Sequence, residues 1–210
     1  MEIDYRVYLV TDEPSRYRGD WLDNVRAAVE GGVTCVQYRD TESEFSRQYE
    51  RVLALRDAIG GVPIIVNNDA ELAKAVKAQG VHVGQRDMSP KAVRSIVGED
   101  CEIGLSITEL SQVAAIDRGV VDVVGIGPVF DARKTKADAA EAMGLMGLRE
   151  IVSATQGIRN CAIGGITLEN AEEIIAQGAQ GLALVSEFSQ AEDAYGVAKK
   201  LRMLFDNRGQ

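Results

Sequence analysis

The chain has 210 residues, with 23 Lys and Arg against 32 Asp and Glu, a formal net charge of −9. This acidic balance argues against nucleic acid or an anionic membrane as a partner, because both select basic surfaces. No apolar run approaches the roughly 20 residues of a membrane-spanning helix, and the N-terminus does not resemble a secretory signal peptide.

The cysteines and the single histidine exclude several kinds of site. Cys35, Cys101 and Cys161 lie far apart in the sequence, so we expect buried thiols in a reducing, cytoplasmic setting, not a disulfide or metal framework. One histidine rules out HExxH and Cys/His zinc sites. Any catalysis must therefore depend mainly on carboxylates, amides, cations or a bound metal.

Short β-branched runs alternate with helical patterns along the whole chain, and glycines often end the helical stretches. Apolar runs bounded in this way are typical of parallel strands buried on both faces. We predict strands at 5–10, 33–37, 63–67, 80–83, 101–105, 121–125, 159–163 and 181–185. We predict helices at 20–31, 43–59, 69–78, 90–98, 109–118, 144–155, 167–176 and 191–205.

Eight alternating strand–helix units favour a closed barrel over an open doubly wound sheet, which usually has five or six strands. We therefore predict an α/β fold with a single (β/α)₈ TIM barrel, forming one domain over residues 1–210.

Polar residues or glycines follow every predicted strand. The carboxyl ends of parallel strands share one rim, where barrel enzymes place their active sites, so we expect these residues to converge there. In chain order they are Thr11, Asp12, Gln37, Arg39, Asn67, Asn68, Asp69, Gly84, Gln85, Asp87, Ser106, Gly127, Pro128, Gly164, Gly165, Ser186 and Glu187.

Three features indicate a phosphorylated ligand. The segments 163–166 and 185–187 follow the seventh and eighth strands, the usual phosphate corner of such barrels. Arg39 places a cation after the second strand of an acidic protein. The loop 128–143 is the longest aperiodic stretch and suits a mobile lid, although a solvated charged connection explains it nearly as well. Its cations are Arg133, Lys134 and Lys136.

Asp87, together with Asn68 or Asp69, is a candidate ligand of Mg²⁺, which favours one or two carboxylates plus substrate phosphates. The alternative is that these residues cap helices or form turns. His82 lies within the fourth strand, where we favour a packing role over a catalytic one.

Nine sequence motifs, taken in chain order, resemble those of the thiamine phosphate synthase family over essentially the whole chain. The combination of QYR, GVHVGQRD and GPVF is more specific than any signal for a barrel alone. The motifs are YLVTD (8–12), GGVTCVQYRD (31–40), PIIVNND (63–69), GVHVGQRDM (80–88), GLS (104–106), GIGPVF (125–130), TK (135–136), IGGIT (163–167) and GLALVS (181–186).

The resemblance implies a (β/α)₈ barrel and a transferase of thiamine biosynthesis with Mg²⁺ as cofactor. Its small-molecule substrates would be hydroxymethylpyrimidine diphosphate and hydroxyethylthiazole phosphate, joined with release of diphosphate. The diphosphate leaves first, and the thiazole nitrogen captures the pyrimidine methyl cation. This nucleophile needs no general base, which agrees with the scarcity of histidine.

By matching motif, the resemblance implies roles for individual residues. Gln37, Arg39, Ser106 and Lys136 would act on the diphosphate side as catalytic residues. The expected substrate-binding residues are Asn67 for the pyrimidine, Thr135 in the loop, and Gly165, Val185 and Ser186 for the thiazole phosphate. The expected metal ligands are Asp87 and Asn68.

Three departures from the family pattern fall on the diphosphate side. Thr41 stands where the family usually has a lysine, and Asn68 where it usually has an aspartate. The loop after GPVF is one residue longer and lacks a threonine. Arg133, Lys134 and Asp69 are candidate replacements for the lost charges.

Two alternatives stay open at this point. A thiazole tautomerase resembles the synthase but uses a histidine after the sixth strand, where this chain has Pro128. A non-catalytic relative would bind a phosphate ligand through the segments after strands seven and eight. The oligomeric state is open, with a homo-oligomer among the options.

Overall fold

A computed structural model describes residues 2–133 and 139–207. Eight parallel strands pair in sequence order, and β8 pairs with β1 to close a barrel. The predicted single (β/α)₈ barrel is therefore confirmed. The strands are β1 Val7–Val10, β2 Cys35–Tyr38, β3 Ile64–Asn67, β4 Gly80–Val83, β5 Glu102–Ile107, β6 Val123–Ile126, β7 Arg159–Ile163 and β8 Leu182–Leu184.

The helices surround the barrel and follow the predicted order with shorter bounds. They are α1 Trp21–Gly31, α2 Phe45–Ile59, α3 Ala70–Val76, α4 Pro90–Val97, α5 Gly144–Ala154, α6 Ala171–Ala176, α7 Ser186–Ser189 and α8 Ala194–Asp206. Two 3-10 helices occupy Pro14–Arg16 and Leu110–Ala115. In residues 2–133 and 139–207, no helix combines the length and apolarity needed to span a membrane.

The predicted helix at 109–118 is a 3-10 helix that ends early. The side chain of Gln112 bonds back to the backbone N–H and hydroxyl of Thr108. The carboxylate of Asp117 accepts from the N–H of Gly119 at 3.1 Å and so forms the next turn. These side-chain bonds to the backbone compete with helix formation over the short connection between β5 and β6.

The last predicted helix begins later than expected, and a short helix precedes it. Asp193 accepts from the N–H of Gly196 at 2.8 Å and caps α8, so the helix starts at residue 194 and not at 191. The preceding residues form α7, which lies at the carboxyl end of β8.

Alternation along each strand divides the core in two. Val7 and Leu9 of β1 face outward into the larger core between sheet and helices, whereas Tyr8 and Val10 belong to the smaller cluster inside the barrel. Successive side chains of a strand point to opposite faces, so every second residue of each strand faces the barrel interior.

The chain before β1 closes the barrel end opposite the rim. Ile3 and Tyr5 are buried in the interior cluster, and both bind the carboxylate of Glu102, through the backbone N–H at 2.9 Å and the phenol at 3.0 Å. Arg159 also pairs with Glu102 at 3.0 Å. Because this end is filled, the interior cavity opens toward the carboxyl ends of the strands.

Cys35, Cys101 and Cys161 are buried and unpaired, as predicted. Burial raises the pKa of Cys101 to about 11 and that of Cys161 to about 12. The thiols therefore stay protonated and behave as small apolar side chains.

Candidate active site

A cavity opens at the carboxyl ends of the strands and receives side chains from the barrel interior. Of the residues predicted to form the site, seven line it: Gln37, Arg39, Asn67, Ser106, Gly165, Val185 and Ser186. Asn68 and Asp87 lie on the loops after β3 and β4, outside the lining. Thr135 and Lys136 fall outside the described residues.

Gln37 is positioned by a residue that the sequence analysis missed. Its side-chain amide donates to the hydroxyl of Tyr8 at 2.6 Å, and both side chains are buried. Burial raises the pKa of Tyr8 well above its usual range, so the phenol stays neutral. Strand alternation could have identified Tyr8, because it lies two residues before Val10 on the same interior face.

Among the described residues that line the cavity, Arg39 is the only Arg, Lys, Asp or Glu. Its backbone N–H donates to the Thr11 hydroxyl at 2.9 Å, which links the loops after β1 and β2. Within the described part of the chain, its guanidinium forms no salt bridge. The described wall of the cavity therefore carries a positive charge without a paired carboxylate, in a protein whose net charge is −9.

Asp40 holds the loop that follows Arg39. Its carboxylate accepts from the N–H groups of Ser43 at 3.0 Å and Glu42 at 3.1 Å, and it pairs with Arg51. Burial opposes ionisation of Asp40, but these hydrogen bonds outweigh it and lower its pKa to about 2. Thr41, which stands where the family has a lysine, is exposed on this loop.

His82 and Ser106 meet inside the barrel. The imidazole Nε2 lies 3.0 Å from the Ser106 hydroxyl oxygen. Burial lowers the pKa of His82 to about 4, so the ring is neutral near pH 7 and makes a poor general acid. The backbone carbonyl of Ser106 accepts from the Gln85 side-chain amide at 2.7 Å.

The three polar residues after β3 have different positions. Asn67 lines the cavity. Asn68 adopts a left-handed backbone with φ of 64°, which asparagine tolerates better than most residues. One Asp69 carboxylate oxygen accepts from the N–H of Leu72 at 2.8 Å and caps α3, so its use as a helix cap competes with metal binding.

Asp87 is exposed on the loop after β4. Its Oδ2 accepts from the N–H of Gly84 at 2.7 Å, and no hydrogen bond within residues 2–133 and 139–207 engages Oδ1. In those residues no group of three or more His, Cys, Asp or Glu side chains is placed to hold a metal ion. This donor set fits Mg²⁺ that takes its other ligands from phosphate oxygens and water, and does not fit an all-protein cage.

The loops after β7 and β8 form a glycine-rich corner. Gly164 and Gly165 have φ of 98° and 64°. A Cβ on Gly165 would lie 2.6 Å from Cβ of Phe130, so glycine is required both by backbone conformation and by space. Ser186, which lines the cavity, is the first residue of α7, and the backbone N–H groups of a first helical turn have no partners within the helix.

Hydrogen bonds to neighbouring segments hold the loops of this corner in place. Asn170 donates to the carbonyl of Gly165 at 2.9 Å, and Glu187 accepts from the N–H of Leu168 at 3.1 Å. Ser189 donates to the buried carboxylate of Asp12 at 3.3 Å, which ties α7 to the loop after β1. Backbone N–H groups of loops that are held in place by such hydrogen bonds are suited to bind an anion.

The parts of the loop 128–143 that the structure describes extend to the cavity. Ala132, Ala139 and Ala140 line it. The exposed Arg133 pairs with Asp131 at 2.9 Å, so its charge is partly neutralised by its own loop. Lys134, the other candidate for a replacement cation, lies outside the described residues.

Comparison with known proteins agrees with this geometry. The family model for thiamine monophosphate synthase matches residues 7–188. The chain is 39% identical to the thiamine-phosphate synthase of Azorhizobium caulinodans, with 97% of this chain and 96% of the relative covered. It is 40% identical to the thiamine-phosphate synthase of Albidiferax ferrireducens, with 96% and 92% covered.

A solved structure is similar throughout. The thiamine phosphate pyrophosphorylase from Pyrococcus furiosus superposes with a TM-score of 0.86 at 30% identity, over 97% of this chain and 96% of that one.

The glycine-rich corner yields a first prediction. Gly165→Ala should destabilise the protein by about 3 kcal/mol or more, since backbone strain of about 1–2 kcal/mol adds to the overlap with Phe130. Gly60→Ala is the matched control, because Gly60 has φ of 59° but open space around its Cβ position. Urea unfolding measures both variants. Equal losses for the two would contradict the proposed crowding at Gly165.

Proposed function

This chain belongs to the thiamine monophosphate synthase family, and from that premise we propose how its rim performs the reaction. The reaction couples hydroxymethylpyrimidine diphosphate to hydroxyethylthiazole phosphate and releases diphosphate. We place both small-molecule substrates in the cavity at the carboxyl ends of β1–β8, and the enzyme in the cytoplasm. The tautomerase alternative lacks its histidine, since the loop after β6 has Pro128 at that position.

The observation that carries this proposal is the guanidinium of Arg39 in the cavity, which forms no salt bridge within residues 2–133 and 139–207. A diphosphate group is the most highly charged part of either substrate, and it gains charge as it leaves. A cation that no carboxylate of the described residues neutralises stabilises that charge more in the transition state than in the ground state.

We assign the diphosphate side to Gln37, Arg39, Ser106 and Lys136. Gln37 would supply a side-chain hydrogen-bond donor from β2, the strand before Arg39, and Ser106 would supply one from β5. Asn67 would contact the pyrimidine from the end of β3, which lies between β2 and β4.

We assign the thiazole phosphate to the glycine-rich corner. Gly165 allows the backbone to approach the phosphate closely, and Val185 and Ser186 supply N–H groups at the start of α7. Thr135, expected from the sequence to bind substrate, lies outside the described residues. The two substrates then enter from opposite sides of the cavity.

The bond changes need no protein base. The bond between the pyrimidine methylene carbon and the diphosphate oxygen breaks, and its electron pair leaves with the diphosphate. The lone pair of the thiazole nitrogen then forms the new carbon–nitrogen bond. The protein contributes by holding the nitrogen close to the methylene carbon and by stabilising the departing charge.

Magnesium fits this scheme as a cofactor. Asp87 would hold the ion, with Asn68 as a neutral second ligand and the diphosphate supplying further oxygens. When bound, the ion supplies neutralisation of the diphosphate charge. The positive charge of an ion held by Asp87 would thus add to that of Arg39 at the same group.

The central test is formation of thiamine phosphate from both substrates with Mg²⁺. We expect product with one diphosphate released per turnover, and a loss of kcat/KM of roughly 100-fold or more in Arg39→Gln. Arg47→Gln, at an exposed arginine of α2, is the matched control and should retain activity. No product, with thiazole phosphate still bound, would contradict the proposal and favour a binding protein.

The metal site yields a second test with two aspartates of different roles. Asp87→Asn should raise the Mg²⁺ concentration needed for half-maximal activity at least tenfold, because a ligand charge is lost. Asp69→Asn should leave that concentration unchanged, because asparagine also caps helices. A metal titration of activity compares them. An unchanged Asp87→Asn titration would refute its role as a ligand.

The third test concerns the missing lysine. Thr41→Lys should tighten diphosphate binding, because it adds a cation to the loop after Arg39. Thr41→Met, of similar length but uncharged, controls for side-chain size. Calorimetric titration with inorganic diphosphate measures the change, and equal affinity for the two variants would count against this placement of Thr41.

A further inference from the structure

His82 lies inside the barrel in space that two glycines leave open. A Cβ on Gly104 would overlap the ring at Nδ1, and a Cβ on Gly125 would lie 2.8 Å from Cε1. These glycines belong to β5 and β6, the next two strands round the barrel from β4. His82 is buried and lines the cavity, so the strands hold its ring in one orientation.

The surroundings of the ring determine which nitrogen carries the proton. Nε2 lies 3.0 Å from the hydroxyl oxygen of Ser106. Nδ1 has no hydrogen-bond partner among the residues that the structure describes. A hydrogen on Nδ1 would point at Gly104 and find no acceptor among the described residues, whereas a hydrogen on Nε2 has the Ser106 oxygen. The proton therefore belongs on Nε2, where the Ser106 oxygen accepts it.

This assignment fixes the direction of the Ser106 hydroxyl. Since its oxygen accepts from His82, its own hydrogen must point elsewhere, and the open side of Ser106 is the cavity. The main chain of Ser106 is held as well, because Gln85 donates to its carbonyl at 2.7 Å. Ser106 thus presents a donor to whatever the cavity binds.

We propose that His82 is a positioning residue, whose Nε2–H holds the Ser106 oxygen and thereby turns the Ser106 O–H toward the diphosphate group. The identity of the anion rests on the proposed function. The reverse arrangement, with Ser106 donating to an unprotonated Nε2, would direct oxygen lone pairs at an anion. His82 acts only through Ser106 and does not itself contact the diphosphate.

The single histidine of the chain makes the proton position directly measurable. In protein labelled with ¹⁵N-histidine, NMR correlations report one imidazole and show which nitrogen is protonated. We expect the proton on Nε2 at pH 7, both free and with inorganic diphosphate and Mg²⁺. A proton on Nδ1 with an unprotonated Nε2 would overturn the inference.

Binding of inorganic diphosphate with Mg²⁺, measured by calorimetry, tests the coupling to Ser106. His82→Leu should weaken binding roughly tenfold in the wild-type background and have no effect in Ser106→Ala. His82→Gln should restore binding, because its amide can donate from a similar position. A loss of the same size in both backgrounds would show a merely structural role and overturn the inference.

The proposed function is tested separately, by thiamine phosphate formation in the wild type. Coupled diphosphate binding without product formation would remove the proposed function and support the positioning role of His82. Product formation without the coupling would support the function and overturn the role of His82.

Discussion

Closure of the parallel barrel is the constraint on which the rest of the structure depends. Once β8 pairs with β1, every strand has one interior and one exterior face, and all carboxyl ends share one rim. Polar side chains such as Gln37, Asn67 and Ser106 sit on interior positions, where they would be costly in a core that filled the barrel completely. They are accommodated because small residues leave a cavity and because the opposite end is closed by Ile3 and Tyr5.

The same arrangement explains how an acidic chain can bind anionic substrates. The net charge of −9 resides mainly on the helices and loops, whereas the described cavity wall carries Arg39 without a carboxylate beside it. The chemistry needs a stabilised leaving group and a well-placed ring nitrogen. A buried neutral histidine is therefore compatible with catalysis, and its part is to hold a hydroxyl in place.

Much of this was predictable from the sequence, because strand alternation and the glycines between units are local signals. They predicted the barrel, the rim and the buried thiols. Other features depend on contacts between distant segments. The orientation of His82 requires glycines on β5 and β6, and α7 is held by Asp12 from the loop after β1. No periodicity within a single segment contains that information.

The central claim is that diphosphate and thiazole phosphate bind on opposite sides of one cavity. A crystal structure of the protein with thiazole phosphate, inorganic diphosphate and Mg²⁺ tests it most directly. We expect the diphosphate at Arg39 and Ser106, with the metal at Asp87, and the monophosphate at Gly165 and Ser186. Both anions in one corner, or a diphosphate bound away from Arg39, would contradict this account.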